Sequence, residues 1–488
     1  MMSRFALCII FLIPLHSLAQ LQYNYFPKEN KASPAHLQNE IRSRWQSDME
    51  AVSFPGKVKK EVEKLLTERY ESLADRLDEE EFLFDDVIFP FYQSIIQKIF
   101  QANPSLPKEE LRFLISKSRF PNASCLGEGT IIINLGLINR LEAEGQLAFA
   151  ICHEIAHYTG DHVNEKIFDY AHAVNSKAFK QEIRNIRRQE YFQNKRLMDL
   201  LKDLSYDTYR HSRFYESDAD SLGLQYFLKT SYDPNEAVRC MAILDRVDEP
   251  KYPQNIDFEK HFKNLSYPYK DWWDDYDLEN DFFYSKDHIY DWDNDSLKTH
   301  PLCSDRIAAL SQQLSQLNFE EQESGENLYN KFSELCDFKL IHTAYNGGSF
   351  GQSLFQSLLL LDKYPENTYL QAMVGNSLLR LHDSKKDHRL GEVLDMTGPK
   401  NKENYDRFLH FVRELRLKDL AGLAYAFLEK GTNKAKDDQF YLYSLILASY
   451  TSKHIEEGKA YKERYLNTFP DGIFTEEIIE TDFTIDNN

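Results

Sequence analysis

Two histidines and a glutamate within five positions carry the first chemical signal: in CHEIAHYTGDH, His153, Glu154 and His157 fall on one predicted helix. Residues four apart share a helix face one turn apart, so the two imidazoles can converge on a single divalent ion. Glu154 stands about 100° round the helix, where it can deprotonate a water at the metal without taking a coordination position. That is the HExxH logic of zinc-dependent peptide hydrolysis. The motif alone arises by chance in roughly a few per cent of chains this long, and zinc needs a third protein ligand plus an open fourth position for catalysis. The segment FYESDADSLGLQYF supplies a candidate. Its periodicity is helical, Glu216 and Asp220 are four apart, and small Ala219 and Gly223 permit close approach to the histidine helix. Glu216 is then the third ligand of one Zn²⁺ per chain. Asp220 accepts the N–H of a ligand imidazole, orienting it and raising its basicity.

The elements that must position these groups are mainly helical. Residues 1–19 read as a signal peptide, with Arg4 before the apolar run Phe5 to Pro14 and Ser17-Leu18-Ala19 as the cleavage pattern. Residues 20–59 are a helical extension and 60–320 the metal-bearing domain. Across their boundary, Val58 to Leu77 is strongly periodic helix, and Phe82 to Phe100 continues that style. LRFLISKS and TIIINLGLI read as strand, turn, strand over 111–138, and helix resumes at about Arg140 with Glu142 and Glu144 in its first turn. Residues 163–215 are charged and helical, and the basic cluster Lys180 to Arg188 is a solvated face. Residues 245–298 are acidic and aromatic and read as a long surface loop, with Trp272, Trp273, Phe282, Phe283 and Trp292 as a lid over the cleft or a partner contact. Asp291-x-Asp293-x-Asp295 resembles the start of a calcium loop but lacks its glycine and closing glutamate, so a solvated acidic loop is the better reading. A linker is expected over 321–339, helical repeats over 340–475 and an acidic tail over 476–488. Gly348 to Asn367 matches the second half of a tetratricopeptide repeat, with Ser353 at the close-packing position and Pro365 ending the helix. Gly375 falls where the next unit needs a small side chain, and prolines recur at Pro399 and Pro470. Such helix pairs bury their apolar faces only by stacking into a short solenoid.

With both motifs in view, the chain resembles the CaaX prenyl protease / HtpX / Oma-type zinc metallopeptidases, gluzincins with HExxH followed by ExxxD on a second helix. Here these stand as HEIAH and ESDAD, with Arg213 and Gly223 also in the family places. The resemblance covers roughly residues 60–315 and implies a mainly α peptidase domain, helices with a small β-sheet. PNASCLGEGTIIINLGLI matches the stretch before the motif helix, which makes Asn122, Ala123 and Ser124 the start of a strand edge that pairs with substrate backbone. His162 and Ser231 to Pro234 fit as well. THPLCSDRI matches the family's His-Pro…Arg element as His300, Pro301 and Arg306. His300 is implied as the second electrophile for the tetrahedral oxyanion, or as a fourth zinc ligand in a latent enzyme, and Arg306 as holding His300 or contacting substrate. The acidic-aromatic segment 245–298 departs from the family core. In architecture the chain is similar to the soluble BepA-like periplasmic peptidases with a tetratricopeptide tail.

Composition narrows the partners. The chain has 488 residues, too many for one core, and 42% are hydrophobic, enough for sizeable cores. A formal charge of −20 argues against nucleic acid or an anionic membrane surface as partner. No stretch beyond the signal is long enough to span a bilayer. The expectation is a periplasmic metalloendopeptidase of protein quality control. Its substrates are unfolded or misassembled envelope proteins, and its repeats could meet outer-membrane assembly machinery. The rival is a periplasmic chaperone or adaptor with a latent or structural zinc site. Cys125, Cys152, Cys240, Cys303 and Cys336 show no CxxC spacing, leaving one or two disulfides open and Cys152 as a small core residue.

Overall fold

The computed structural model describes residues 35–188, 213–247, 249–275, 303–317, 326–398, 402–431 and 435–480. They are mainly helical with one small sheet, and they divide into two compact units. His300, Pro301, Pro399, the signal segment, the calcium-like run and Phe282, Phe283 and Trp292 lie outside the described residues. No helix among the described residues is long and apolar enough to cross a membrane.

One unit takes its described residues from Lys28–Glu249 and Asp291–Asp337. It runs α1 (Ala35–Ala51), α2 (Gly56–Asp78), α3 (Ile88–Ala102), β1 (Arg112–Ser116), β2 (Ala123–Cys125), β3 (Thr130–Asn134), α4 (Leu135–Arg140), α5 (Glu144–Thr159), α6 (His162–Asn175) and α7 (Lys177–Arg187). A helix over 213–227, α8, follows, then α9 (Asn235–Asp245), α10 (Cys303–Ser315) and α11 (Glu326–Asn346). The chain passes to the other unit within α11.

α2 forms as its periodicity predicts, burying Val62, Leu66, Leu73 and Leu77 on one stripe. The helix expected from Phe82 begins only at Ile88. Leu83 N–H instead donates to Ile115 O at 2.8 Å, and Asp85 Oδ1 accepts from Ile88 N–H at 2.5 Å. A carboxylate there satisfies the donors that open a helix, so α3 starts after it. Between the two expected strands the structure adds a third: β3 is central, with β1 parallel on one side and β2 antiparallel on the other. Ile131, Ile132 and Ile133 are all buried, as a covered central strand requires. The apolar run TIIINLGLI is strand only to Asn134 and then turns into α4. α5 starts at Glu144, whose carboxylate meets Lys98 and Tyr232, and every residue from Glu144 to His157 is buried. A helix enclosed on all sides is the spine of its unit, and α5 packs on β2, β3, α3, α6 and α9.

The segment expected as a linker is helical from Glu326, and Tyr329, Phe332 and Cys336 are buried. Ser333 and Asp337 hold Asn139 at its side chain, with Asn139 Nδ2 donating to Asp337 Oδ1 at 2.7 Å. Among the described residues the five cysteines are unbridged and buried, so the disulfides left open by their spacing are not formed among them. Their thiols are held among core side chains, and burial raises those of Cys125, Cys152 and Cys240.

The other unit takes its described residues from Pro250–Tyr290 and from Phe338 on. It contains α12 (Phe350–Lys363), α13 (Thr368–Lys386), α14 (Glu403–Glu414), α15 (Leu417–Glu429), α16 (Gln439–Thr451) and α17 (Ile455–Thr468). α13 packs on α12, α15 and α16, and α16 packs on α17. α12 ends just before Pro365, and Asn367 caps α13 by accepting from Leu370 N–H at 2.9 Å. The Ser353 and Ser377 hydroxyls meet at 3.2 Å inside the α12–α13 pair, and both residues are fully buried.

The first part of the acidic-aromatic segment belongs to this core, which corrects the lid reading for Trp273. A short helix, Phe258–Phe262, places Phe258 face to face with Phe411 at 4.0 Å between ring centroids. Trp273 is fully buried and stands edge-on to the same ring. Tyr267 and Lys270 both donate to buried Asp419, at 2.8 and 2.7 Å. An aromatic residue every few positions gains more by burial here than by solvent exposure.

Candidate metal centre

α5 carries His153, Glu154 and His157, all 6% exposed or less. α8 brings Glu216 to them. It can do so because Gly223 has no side chain: a Cβ there would lie 2.9 Å from His153 Cα. Ala219, fully buried, adds no bulk. The small residues of the second motif are therefore the contact between the two site helices.

The three candidate ligand atoms are close-set. His153 Nε2 and His157 Nε2 are 3.1 Å apart; His153 Nε2 is 3.5 Å from Glu216 Oε2 and His157 Nε2 is 3.5 Å from Glu216 Oε1. Zinc bound at about 2.0–2.1 Å has ligand–ligand edges of about 3.3 Å in a tetrahedron. Two imidazole nitrogens and a carboxylate oxygen are a zinc-type donor set, and three protein ligands leave one position for water or substrate. Geometry and donor chemistry both fit.

The groups behind the ligands are held in turn. His153 Nδ1 stands 3.0 Å from Asp220 Oδ1, the contact expected from the spacing. Arg306 on α10 donates to both oxygens of Asp220 at 2.6 Å and reaches Glu216 Oε2 at 3.3 Å. The guanidinium is buried and holds these two carboxylates; His300, the other partner expected for it, lies outside the described residues. His157 Nδ1 faces His162 Nδ1 at 3.1 Å, and His162 Nε2 faces Asp218 Oδ2 at 3.1 Å. Asp218 is absent from the sequence reading. Its signal is there, two residues after Glu216, but side-chain direction on α8 had to be known to use it.

Electrostatics follow from burial and these partners. Burial opposes charge on His153, yet Asp220 and Glu216 pull its pKa up to about 9. His157, where burial dominates, is pulled down to about 4. Burial alone would raise Asp220, but the hydrogen bonds from Arg306 and His153 hold it at about 2. Arg306 stays cationic because the same carboxylates outweigh its desolvation. Ala123 and Ser124 open β2, with Asn122 just before them; β2 is an edge strand with β3 on one side only among the described residues. Asn122 O accepts from Asn134 N–H, and Ser124 is half-buried. Arg213 is exposed at the start of the described part of α8.

Buried histidine pair, third carboxylate and adjacent glutamate define a metallopeptidase type of centre. Residues 90–314 match the model of peptidase family M48, a family of zinc-dependent metallopeptidases. The matched stretch contains every ligand candidate together with Glu154, Asp220 and Arg306. No curated protein matches the chain.

Proposed function

We propose that this chain is an exported zinc-dependent metalloendopeptidase that hydrolyses peptide bonds of periplasmic or envelope proteins in quality control. The observation that carries the reading is the buried cluster of His153, His157 and Glu216, whose ligand atoms all lie within 4.8 Å of one another, with Glu154 on the same helix turn. A zinc ion held there supplies Lewis-acid chemistry, polarising the scissile carbonyl and acidifying water. Glu154 takes the proton of the attacking water and delivers it to the leaving amine. Asp220 and Arg306 keep His153 and Glu216 in their ligating positions. The edge of β2 at Asn122, Ala123 and Ser124 aligns an extended substrate by strand pairing. His300 serves as electrophile for the oxyanion or caps the metal at rest. The helical unit acts as tetratricopeptide-like repeats that engage clients or outer-membrane assembly machinery.

The test uses purified full chain and an unfolded protein substrate. Zinc at one equivalent, cleavage abolished by chelator and restored by zinc, and a kcat reduced about 10²–10⁴-fold in Glu154→Gln are expected. Chelator-insensitive cleavage removes the reading. Client binding with no turnover under any condition would favour the adaptor instead.

A further inference from the structure

We infer that His162 and Asp218 fix the tautomer of His157 and so set how tightly the centre holds its metal, an inference that rests on the zinc-peptidase reading. A neutral imidazole offers a lone pair from one nitrogen only, while the other carries the hydrogen. For His153 a carboxylate settles the matter, because Asp220 at Nδ1 can only accept. For His157 the facing atom is another imidazole nitrogen, His162 Nδ1 at 3.1 Å, which can donate or accept.

The next contact decides it. His162 Nε2 stands 3.1 Å from Asp218 Oδ2, and a carboxylate accepts, so the His162 hydrogen is on Nε2. His162 Nδ1 is then the acceptor, His157 Nδ1–H donates to it, and the His157 lone pair lies on Nε2, facing Glu216 and His153. Any other assignment of neutral rings puts two lone pairs or two hydrogens against each other. The chain of bonds is consistent in one direction only, and that direction is the ligating one.

The surroundings keep His162 where this requires. It is 2% exposed and lies against the Tyr215 ring at 5.0 Å. Asp161 adopts a left-handed conformation with φ 55°, which turns the chain sharply out of α5 so that α6 opens with His162 folded back beneath His157. Gly160 leaves the space: a Cβ there would be 2.4 Å from His162 Nε2. Asp218 and the ligand Glu216 share α8, so one helix delivers both the third ligand and the residue that orders the second. Outer partners of this kind typically set metal affinity by about 10–100-fold.

The experiment measures zinc affinity of the metal-free full chain by competition with a chromophoric chelator, alongside the thermal midpoint of the metal-free protein. His162→Leu removes the acceptor, while His162→Gln keeps one in its side-chain carbonyl. Asp218→Ala, at a side chain 49% exposed, repeats the test at a position the fold tolerates. The expected result is a tenfold or greater loss of affinity in His162→Leu, most of it recovered in His162→Gln, and a smaller loss in Asp218→Ala. Metal-free midpoints of the two His162 variants should agree. Ring ¹⁵N shifts of the zinc-bound wild type should report His162 as the Nε2–H tautomer. Wild-type affinity in both His162→Leu and Asp218→Ala, or equal loss in the Gln and Leu variants, overturns the inference alone. A wild-type chain that binds no zinc overturns the peptidase reading and this inference with it.

Discussion

Arg306 shows how one side chain can hold the groups of a candidate metal centre together from outside its three candidate ligands. Its fork serves both oxygens of Asp220 and reaches Glu216, a geometry that a lysine ammonium cannot reproduce. Removing it leaves two buried carboxylates without their cation. Arg306→Met should therefore lower the unfolding free energy by about 3–5 kcal/mol and weaken zinc binding, with Arg306→Lys recovering only part. Urea unfolding of the metal-free protein and chelator competition measure the two effects. An unchanged denaturation midpoint in Arg306→Met would remove the clamp from the account.

At the scale of elements, the centre exists because α5 and α8 approach until backbone meets backbone. Gly223 is the contact point, and any Cβ there meets the His153 backbone rather than a yielding side chain. Gly223→Val should push α8 away from α5, costing about 1–3 kcal/mol of stability and most of the zinc affinity, while Gly223→Ala shows a smaller form of the same defect. Full zinc affinity in Gly223→Val would mean that the helices are held apart by something else. β2 makes the complementary point. Its three residues carry too little periodicity to announce a strand by themselves; the family resemblance implied one there, and pairing with Ile131 to Ile133 of β3 forms it.

At the scale of the whole molecule, the acidic-aromatic segment is divided by what it packs on. Trp273 is core to the helical unit, so Trp273→Ala should destabilise that unit by about 3–5 kcal/mol while zinc affinity stays at the wild-type value. Thermal unfolding and chelator competition test both halves, and a stable variant with altered metal binding would restore the lid reading. Asp419 ties the same segment down and adds a pH dependence. Burial would raise its pKa, but Lys270, Tyr267 and the Arg416 N–H together hold it below the ordinary value. A carboxyl lowered on folding stabilises above its unfolded pKa of about 3.9, and that stability is lost as pH falls through the folded value. Unfolding measured from about pH 5 downward should show this loss, and Asp419→Asn should flatten it. An identical slope in wild type and variant would show that other carboxyls dominate.

Local sequence determined much. The i, i+4 spacing of His153 and His157, the Glu216–Asp220 pair and the small residues beside it are written in helical periodicity, because a helix fixes which residues share a face. The α2 stripe and the α12 helix ending before Pro365 were legible for the same reason. What sequence could not decide were contacts between segments far apart in the chain. That Arg306 turns to Asp220 and Glu216, that His157 is ordered through His162 by Asp218, that Phe82 extends beside β1 instead of joining α3, and that Trp273 enters a core all depend on which surfaces meet. Periodicity says which face of an element is apolar; only the packed chain says what that face is pressed against.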